Sequence, residues 1–225
     1  MGETIEFGAN GSTTSGYLAK PAANANGKAV VVLQEWWGLV PHVCDIADRF
    51  AAEGYVALAP DLFRGDSADN PDDAGRLFMA LNIDQAEKDL RGAIAAVKEH
   101  GGVSGKVGVV GFCMGGQLAL FAATTSASDV GAAIDFYGIH PNVKPDFAQL
   151  QCPILGLFAE NDDFVNGEAV NALVAAVEAA GKSIEHHTYP GTGHAFFNDS
   201  RPEAYSADAA ADAWKRTLAF FSGNL

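Results

Sequence analysis

The sequence predicts an α/β fold with a mostly parallel central sheet, an N-terminal antiparallel edge and helices on both faces. Three observations carry that expectation: apolar β-branched runs without polar alternation, helical patterns between successive runs, and an alternating hairpin pattern confined to the start of the chain. With 225 residues, 48% of them hydrophobic and 19% charged, the chain can bury a sizeable core and reads as one domain over residues 1–225.

In chain order, Thr4-Ile5-Glu6-Phe7 and the segment from Thr13 to Ala19 alternate, and Gly8-Ala9-Asn10-Gly11 between them supplies turn residues, so a β-hairpin is expected at a sheet edge. Ala29 to Gln34 is a continuous apolar run, which a strand covered on both faces requires, and this places it in the middle of the sheet. Further strands are expected near 55–59, 106–111, 130–137, 152–158 and 183–189, and helices near 42–53, 84–99, 114–125, 167–180 and 203–221. The stretch from Asp61 to Asn82, rich in Gly, Pro, Asn and Asp, reads as a surface excursion with a short helix near its end, bordering a substrate cleft.

Composition narrows the function. Fourteen Lys and Arg against 28 Asp and Glu give a net charge of −14, which argues against nucleic-acid and anionic-membrane partners and favours a small-molecule substrate. Residues 1–30 lack the pattern of a signal peptide, and no apolar run reaches the roughly 18 residues of a membrane span, so a cytoplasmic protein is expected, with a monomer the favoured state. Cys44, Cys113 and Cys152 are odd in number and lack close pairing, which suggests neither a disulfide framework nor a zinc site. The histidines lack metal-site spacing and the glycines form no dinucleotide fingerprint, so no cofactor and no metal is expected.

The chemistry-bearing segment is Gly111-Phe112-Cys113-Met114-Gly115. It follows the apolar run Lys106 to Val110 and opens into helix formers from Gly116 to Ala123, the strand-turn-helix context of a nucleophile elbow with cysteine in the nucleophile position. An isolated G-x-C-x-G fits a buried structural cysteine equally well, so partners decide. In an α/β-hydrolase the acid and then the histidine follow the nucleophile in chain order. The apolar segment Cys152 to Ala159 runs into Asn161-Asp162-Asp163-Phe164-Val165, which places an acid at the carboxyl end of a strand, where open parallel sheets gather their ligands. Asp162 and Asp163 compete for that role. The segment Ile184 to Pro190 leads into Gly191-Thr192-Gly193-His194, and of the six histidines only His194 follows the last predicted strand.

Taken in order, Gln34-Glu35-Trp36-Trp37-Gly38, Ala59-Pro60-Asp61-Leu62, Lys106 to Gly116, Asp162-Asp163-Phe164-Val165 and Gly193-His194-Ala195-Phe196 resemble the dienelactone hydrolase family nearly end to end. The resemblance implies an α/β-hydrolase fold, a Cys113, His194 and Asp162 triad, and Asp162 rather than Asp163 as the acid. It also implies that Glu35 contacts the resting thiol, that the Trp36 and Met114 backbone N–H groups form the oxyanion hole, and that Phe78 and Tyr137 line the pocket. The implied reaction is hydrolysis of a lactone or enol ester through a thioacyl-enzyme, with a broader carboxylesterase for neutral esters as the alternative and a non-catalytic small-ligand binding protein further behind. Trp37 and Phe196 fall in segments that should converge on the same cleft, and Phe164 reads equally well as core. The resemblance departs at substrate-carboxylate recognition: Asn198 stands four residues after His194 where the family has arginine, and Arg64, Arg76 and Arg201 are the candidates to replace it.

Overall fold

A computed structural model describes residues 2–9 and 11–225. Eight strands form one sheet in the order β1-β2-β4-β3-β5-β6-β7-β8. Strands β1 (Glu3–Ala9) and β2 (Ser12–Ala19) make the expected hairpin, pairing Glu3 with Leu18 through Ala9 with Ser12. Asn10, part of the predicted turn, lies outside the described residues. Strand β2 also runs antiparallel to β4 (Val56–Pro60), while β3 (Ala29–Leu33), β4, β5 (Val107–Phe112), β6 (Val130–Phe136), β7 (Ile154–Ala159) and β8 (Ile184–Tyr189) are mutually parallel.

The strand pattern sets the layers. In β3, every residue is buried, and alternate side chains serve opposite faces: Val31 and Leu33 join one core cluster, Val30 and Val32 the other. The first cluster is closed by helices α3 (Ile83–Gly101), α4 (Met114–Thr125) and α5 (Gly167–Ala179), through Leu90, Val97, Leu118 and Val177. The second is closed by α1 (Pro41–Ala52) and α6 (Ala207–Asn224), where Phe50 meets Trp214 at 4.6 Å between ring centroids and Phe221 at 6.0 Å. Among the described residues no helix is long and apolar enough to cross a membrane.

Local chemistry fixes the ends of the helices that flank the site. Asn70 caps α2 (Pro71–Ala80), Asn82 caps α3 and Asn166 caps α5, each accepting a backbone N–H three residues on at 3.0 Å. Helix α2 is the short helix expected near the end of the irregular stretch. Helix α6 begins at Ala207 rather than near 203, because Arg201 to Ser206 turn back onto the loop that carries His194, the Ser206 N–H donating to the Phe196 carbonyl at 3.0 Å.

Candidate active site

Cys113 stands between β5 and α4 with φ 54° and ψ −119°, a conformation that a non-glycine residue adopts only when its surroundings impose it. The restraints are visible: its N–H donates to the Phe136 carbonyl at 3.0 Å, and its carbonyl accepts from the N–H groups of Gly116 at 2.9 Å and Ile139 at 3.2 Å. The flanking glycines permit the turn. A Cβ on Gly111 would lie 1.9 Å from the Gly115 carbonyl oxygen, and one on Gly115 would lie 2.4 Å from that of Leu33. No side chain fits in either place, so α4 starts hard against β3 and β5 and aims the Cys113 side chain into the crevice at the carboxyl ends of the strands.

The candidate acid and base come from later parallel strand ends. Asp162 follows β7, and its Oδ1 accepts the backbone N–H groups of Phe164 at 2.8 Å and Val165 at 2.9 Å, leaving Oδ2 to face His194 Nδ1 at 2.7 Å. Asp163 is exposed, so the turn itself separates the two candidates. Burial would raise the Asp162 carboxyl, but its hydrogen bonds to His194, Val165 and Phe164 outweigh this and hold it below the usual carboxylate range. For His194, burial disfavours the charged ring, yet the Asp162 hydrogen bond and the neighbouring Cys113 sulfur lift its pKa to about 10. The edges of Tyr137 and Phe164, centroids 5.0 and 5.1 Å away, hold the ring from two sides.

Glu35 is 2% exposed and lies two residues after the end of β3. The contact expected between its carboxylate and the thiol is not made in this structure. Its Oε2 accepts from Asn198 Nδ2 at 2.7 Å, and its Oε1 has no hydrogen-bond partner. Burial raises its pKa, against the Asn198 hydrogen bond and the fields of His194 and Arg201. Asn198, itself 2% exposed, is oriented by the Ser200 N–H at 3.0 Å and the Ser200 hydroxyl at 2.6 Å, both donating to its Oδ1. The sequence reading treated Asn198 only as a missing arginine; the structure adds that it holds a buried carboxylate.

Cys113, His194 and Glu35 open onto a cavity of about 830 Å³. Trp36, Trp37 and Phe78 line it as an edge-to-face set, with Trp36 5.1 Å from Trp37 and 6.5 Å from Phe78. Neither the Trp36 nor the Met114 backbone N–H donates to an acceptor among the described residues, as an oxyanion hole requires. Two expected lining residues are elsewhere. Tyr137 and Phe196 are fully buried beneath the site, packed against each other at 5.4 Å and against Phe136, because Tyr137 has a φ of 43° and turns its ring back into the sheet layer. Phe164, equally a core candidate from sequence, is 58% exposed and forms part of the wall.

The arginines also separate. Arg64 pairs with buried Asp89 at 2.6 Å and Arg76 pairs with Asp73 on its own helix, both outside this cavity. Arg201 does line it, 4.6 Å over the Trp37 ring and held at 2.9 Å by Glu203.

A strand-turn-helix elbow at the centre of a mostly parallel sheet, followed in order by an acid and a histidine on later strand ends, defines an α/β-hydrolase. Residues 14–225 match the model of the dienelactone hydrolase family. The chain is 39% identical to protein usf of Aquifex pyrophilus and 36% identical to a candidate carboxymethylenebutenolidase of Aquifex aeolicus, each alignment covering 98% of both chains. It superposes on the crystal structure of a candidate dienelactone hydrolase from Klebsiella pneumoniae with a TM-score of 0.86 and 30% identity, over 99% of each chain. The chain belongs to the dienelactone hydrolase family and is a carboxylic ester hydrolase.

Proposed function

We propose that the protein hydrolyses a lactone or enol ester by covalent catalysis, with Cys113 as nucleophile, His194 as base and Asp162 as its orienting acid. The observation that carries this reading is the 2.7 Å Asp162–His194 contact beside the Cys113 sulfur, at the mouth of an aromatic cavity. His194 takes the thiol proton and the sulfur attacks the ester carbonyl, whose electron pair moves onto oxygen and is met by the Trp36 and Met114 N–H groups. Collapse expels the alkoxide or enolate, which receives its proton from His194, and leaves a thioacyl-enzyme. His194 then deprotonates water for attack on the thioester, and the thiol returns. Asp162 holds the Nδ1 proton and stabilises the imidazolium throughout.

The position of Glu35 fits this cycle. Held by Asn198, its carboxyl group is kept off the sulfur, the arrangement in which sulfur and imidazole can pair. A thiolate leaves more readily than an amine, so an adduct on an amide tends to revert by expelling sulfur, whereas an enolate or activated alkoxide competes with sulfur as the leaving group, which favours enol esters and lactones over peptides.

The test compares kcat/KM for a carboxylate-bearing dienelactone with that for a neutral p-nitrophenyl ester, in the wild type and in Cys113→Ala. The variant should fall by about 10³-fold or more on both substrates. Undiminished turnover in Cys113→Ala would refute the covalent mechanism.

A further inference from the structure

The cavity is larger than a lactone ring needs. At about 830 Å³ it lies towards the top of the ~300–1,000 Å³ range typical of drug-sized ligands. Beyond Cys113 and His194, its lining extends to α5 and the segment 139–147, which face it as the two walls of a groove. One wall is Ala169, Ala172, Leu173 and Ala176, whose spacing of 0, 3, 4 and 7 puts them on a single face of α5, about 10 Å long. The other wall is Ile139, Val143 and Phe147.

Gln117, His140, Arg201 and Glu203 along this groove are already engaged by the protein, while exposed Lys144, which also lines it, makes no ion pair or side-chain hydrogen bond among the described residues. Gln117 gives its amide to the Val143 carbonyl at 3.1 Å. His140 uses both ring nitrogens, Nε2 on the Phe78 carbonyl at 2.9 Å and Nδ1 as acceptor of the Asn142 N–H at 3.1 Å. Arg201 and Glu203 neutralise each other at 2.9 Å. Apart from the Lys144 ammonium, a ligand in the groove therefore finds hydrocarbon and aromatic surface with little free hydrogen-bonding capacity, and a cationic or hydroxyl-rich arm would lose its hydration without replacement.

We propose that this groove is a subsite for an extended apolar arm of the ester, of medium-chain or aryl type, continuous with the carbonyl held at Cys113. The inference rests on the catalytic reading above for the placement of the carbonyl, and on the groove alone for the chemistry of the arm. Small alanine side chains on α5 leave the space, and the opposite wall supplies the contact surface.

The experiment measures kcat/KM for vinyl acetate, butyrate, hexanoate and octanoate, and for 1-octenyl acetate, which carries the chain on the alcohol side. Burial of each added methylene raises kcat/KM by up to about fourfold, so one of the two long esters should exceed vinyl acetate at least tenfold; which one does so assigns the arm to the acyl or the alcohol side. Ala172→Trp and, separately, Ala176→Trp should each cut the ratio of the favoured long ester to the acetate at least tenfold. A ratio within twofold of unity for both long esters, with turnover still dependent on Cys113, overturns the groove and leaves the mechanism standing. Turnover that survives Cys113→Ala overturns the mechanism instead. In that event the groove is tested by tryptophan fluorescence in the Cys113→Ala protein: 1-octanol should bind at least tenfold more tightly than 1-butanol and lose that advantage in Ala172→Trp. Equal binding of the two alcohols overturns it, as does a concentration-dependent dimer by light scattering that masks the groove.

Discussion

Asp135 offers the sharpest quantitative test of the electrostatics beneath the site. It lies on β6, fully buried, with neither carboxylate oxygen hydrogen-bonded, and a Cβ on Gly116 or Gly138 would lie 2.3 or 2.2 Å from its Oδ1. Burial raises its pKa from the usual 3.8 to about 7, opposed only by the nearby Gly138 N–H, which does not reach hydrogen-bond geometry. The sign follows directly. Between those values the unfolded chain has released the proton and the folded chain keeps it, so folding becomes less favourable as pH rises from 3.8 and the penalty levels off above 7. Linkage gives a cost of about 2 kcal/mol at pH 5 and about 4 kcal/mol at pH 8. Asp135→Asn keeps the shape and abolishes the titration. Whatever fixed cost the buried amide brings is the same at both pH values, so the variant's stability relative to wild type should improve by about 2–3 kcal/mol between pH 5 and pH 8, or about 5–10 °C in Tm for a chain of this size. Calorimetry or urea unfolding of both proteins at both pH values measures it. A change below about 0.5 kcal/mol, or one of opposite sign, refutes a buried, proton-holding Asp135.

Two further substitutions probe the site itself. Asp162→Asn removes the strongest raising influence on His194, so the imidazole pKa, followed by NMR, should fall from about 10 and kcat should drop by about 10³–10⁴; an unmoved imidazole titration would contradict the 2.7 Å contact. Asn198→Ala strips Glu35 of its hydrogen-bond donor and should cost about 1–3 kcal/mol at pH 8, with a smaller loss at pH 5, since burial and the loss of the donor both shift the carboxyl towards its protonated form as pH falls. Equal losses in urea midpoint at the two pH values would mean that Asn198 does not stabilise the charged form of Glu35.

Much of this molecule is legible in one dimension because period and turn chemistry report backbone layout well. The uninterrupted apolar runs are the central parallel strands, and the G-x-C-x-G spacing is the elbow, since only glycine tolerates the 1.9 and 2.4 Å approaches found at positions 111 and 115. Residue type alone did not separate Asp162 from Asp163; the resemblance favoured Asp162, and the two N–H groups that Asp162 accepts show the geometric reason. Side-chain direction at strand ends is harder to read. Tyr137 and Phe196 sit where aromatic residues should face a cleft, but a positive φ at Tyr137 sends its ring the other way. The α5 wall left no signal of its own, because an alanine face on a helix looks the same whether it packs on a neighbour or borders space. Asn198 was hidden for a related reason: a buried amide bonded to a residue 163 positions away has no local pattern.

The turn Asp162-Asp163-Phe164-Val165 serves two masters. Its Phe164 and Val165 amides orient the acid, while the same two residues wall the cavity. A bulky ligand that displaces this wall also pulls on the carboxylate behind His194, so at this spot selectivity and rate are coupled and neither can drift alone. The α5 face and the 139–147 segment carry none of Cys113, Asp162 and His194, so on the proposed mechanism most of their side chains can be exchanged without replacing a reacting group, Ile139 and Leu173, which pack beside Val165, being the ones nearest the Asp162 turn. On that mechanism, diversification of substrate range in this protein is channelled to one side of its cavity, the side that holds neither Asp162 nor His194.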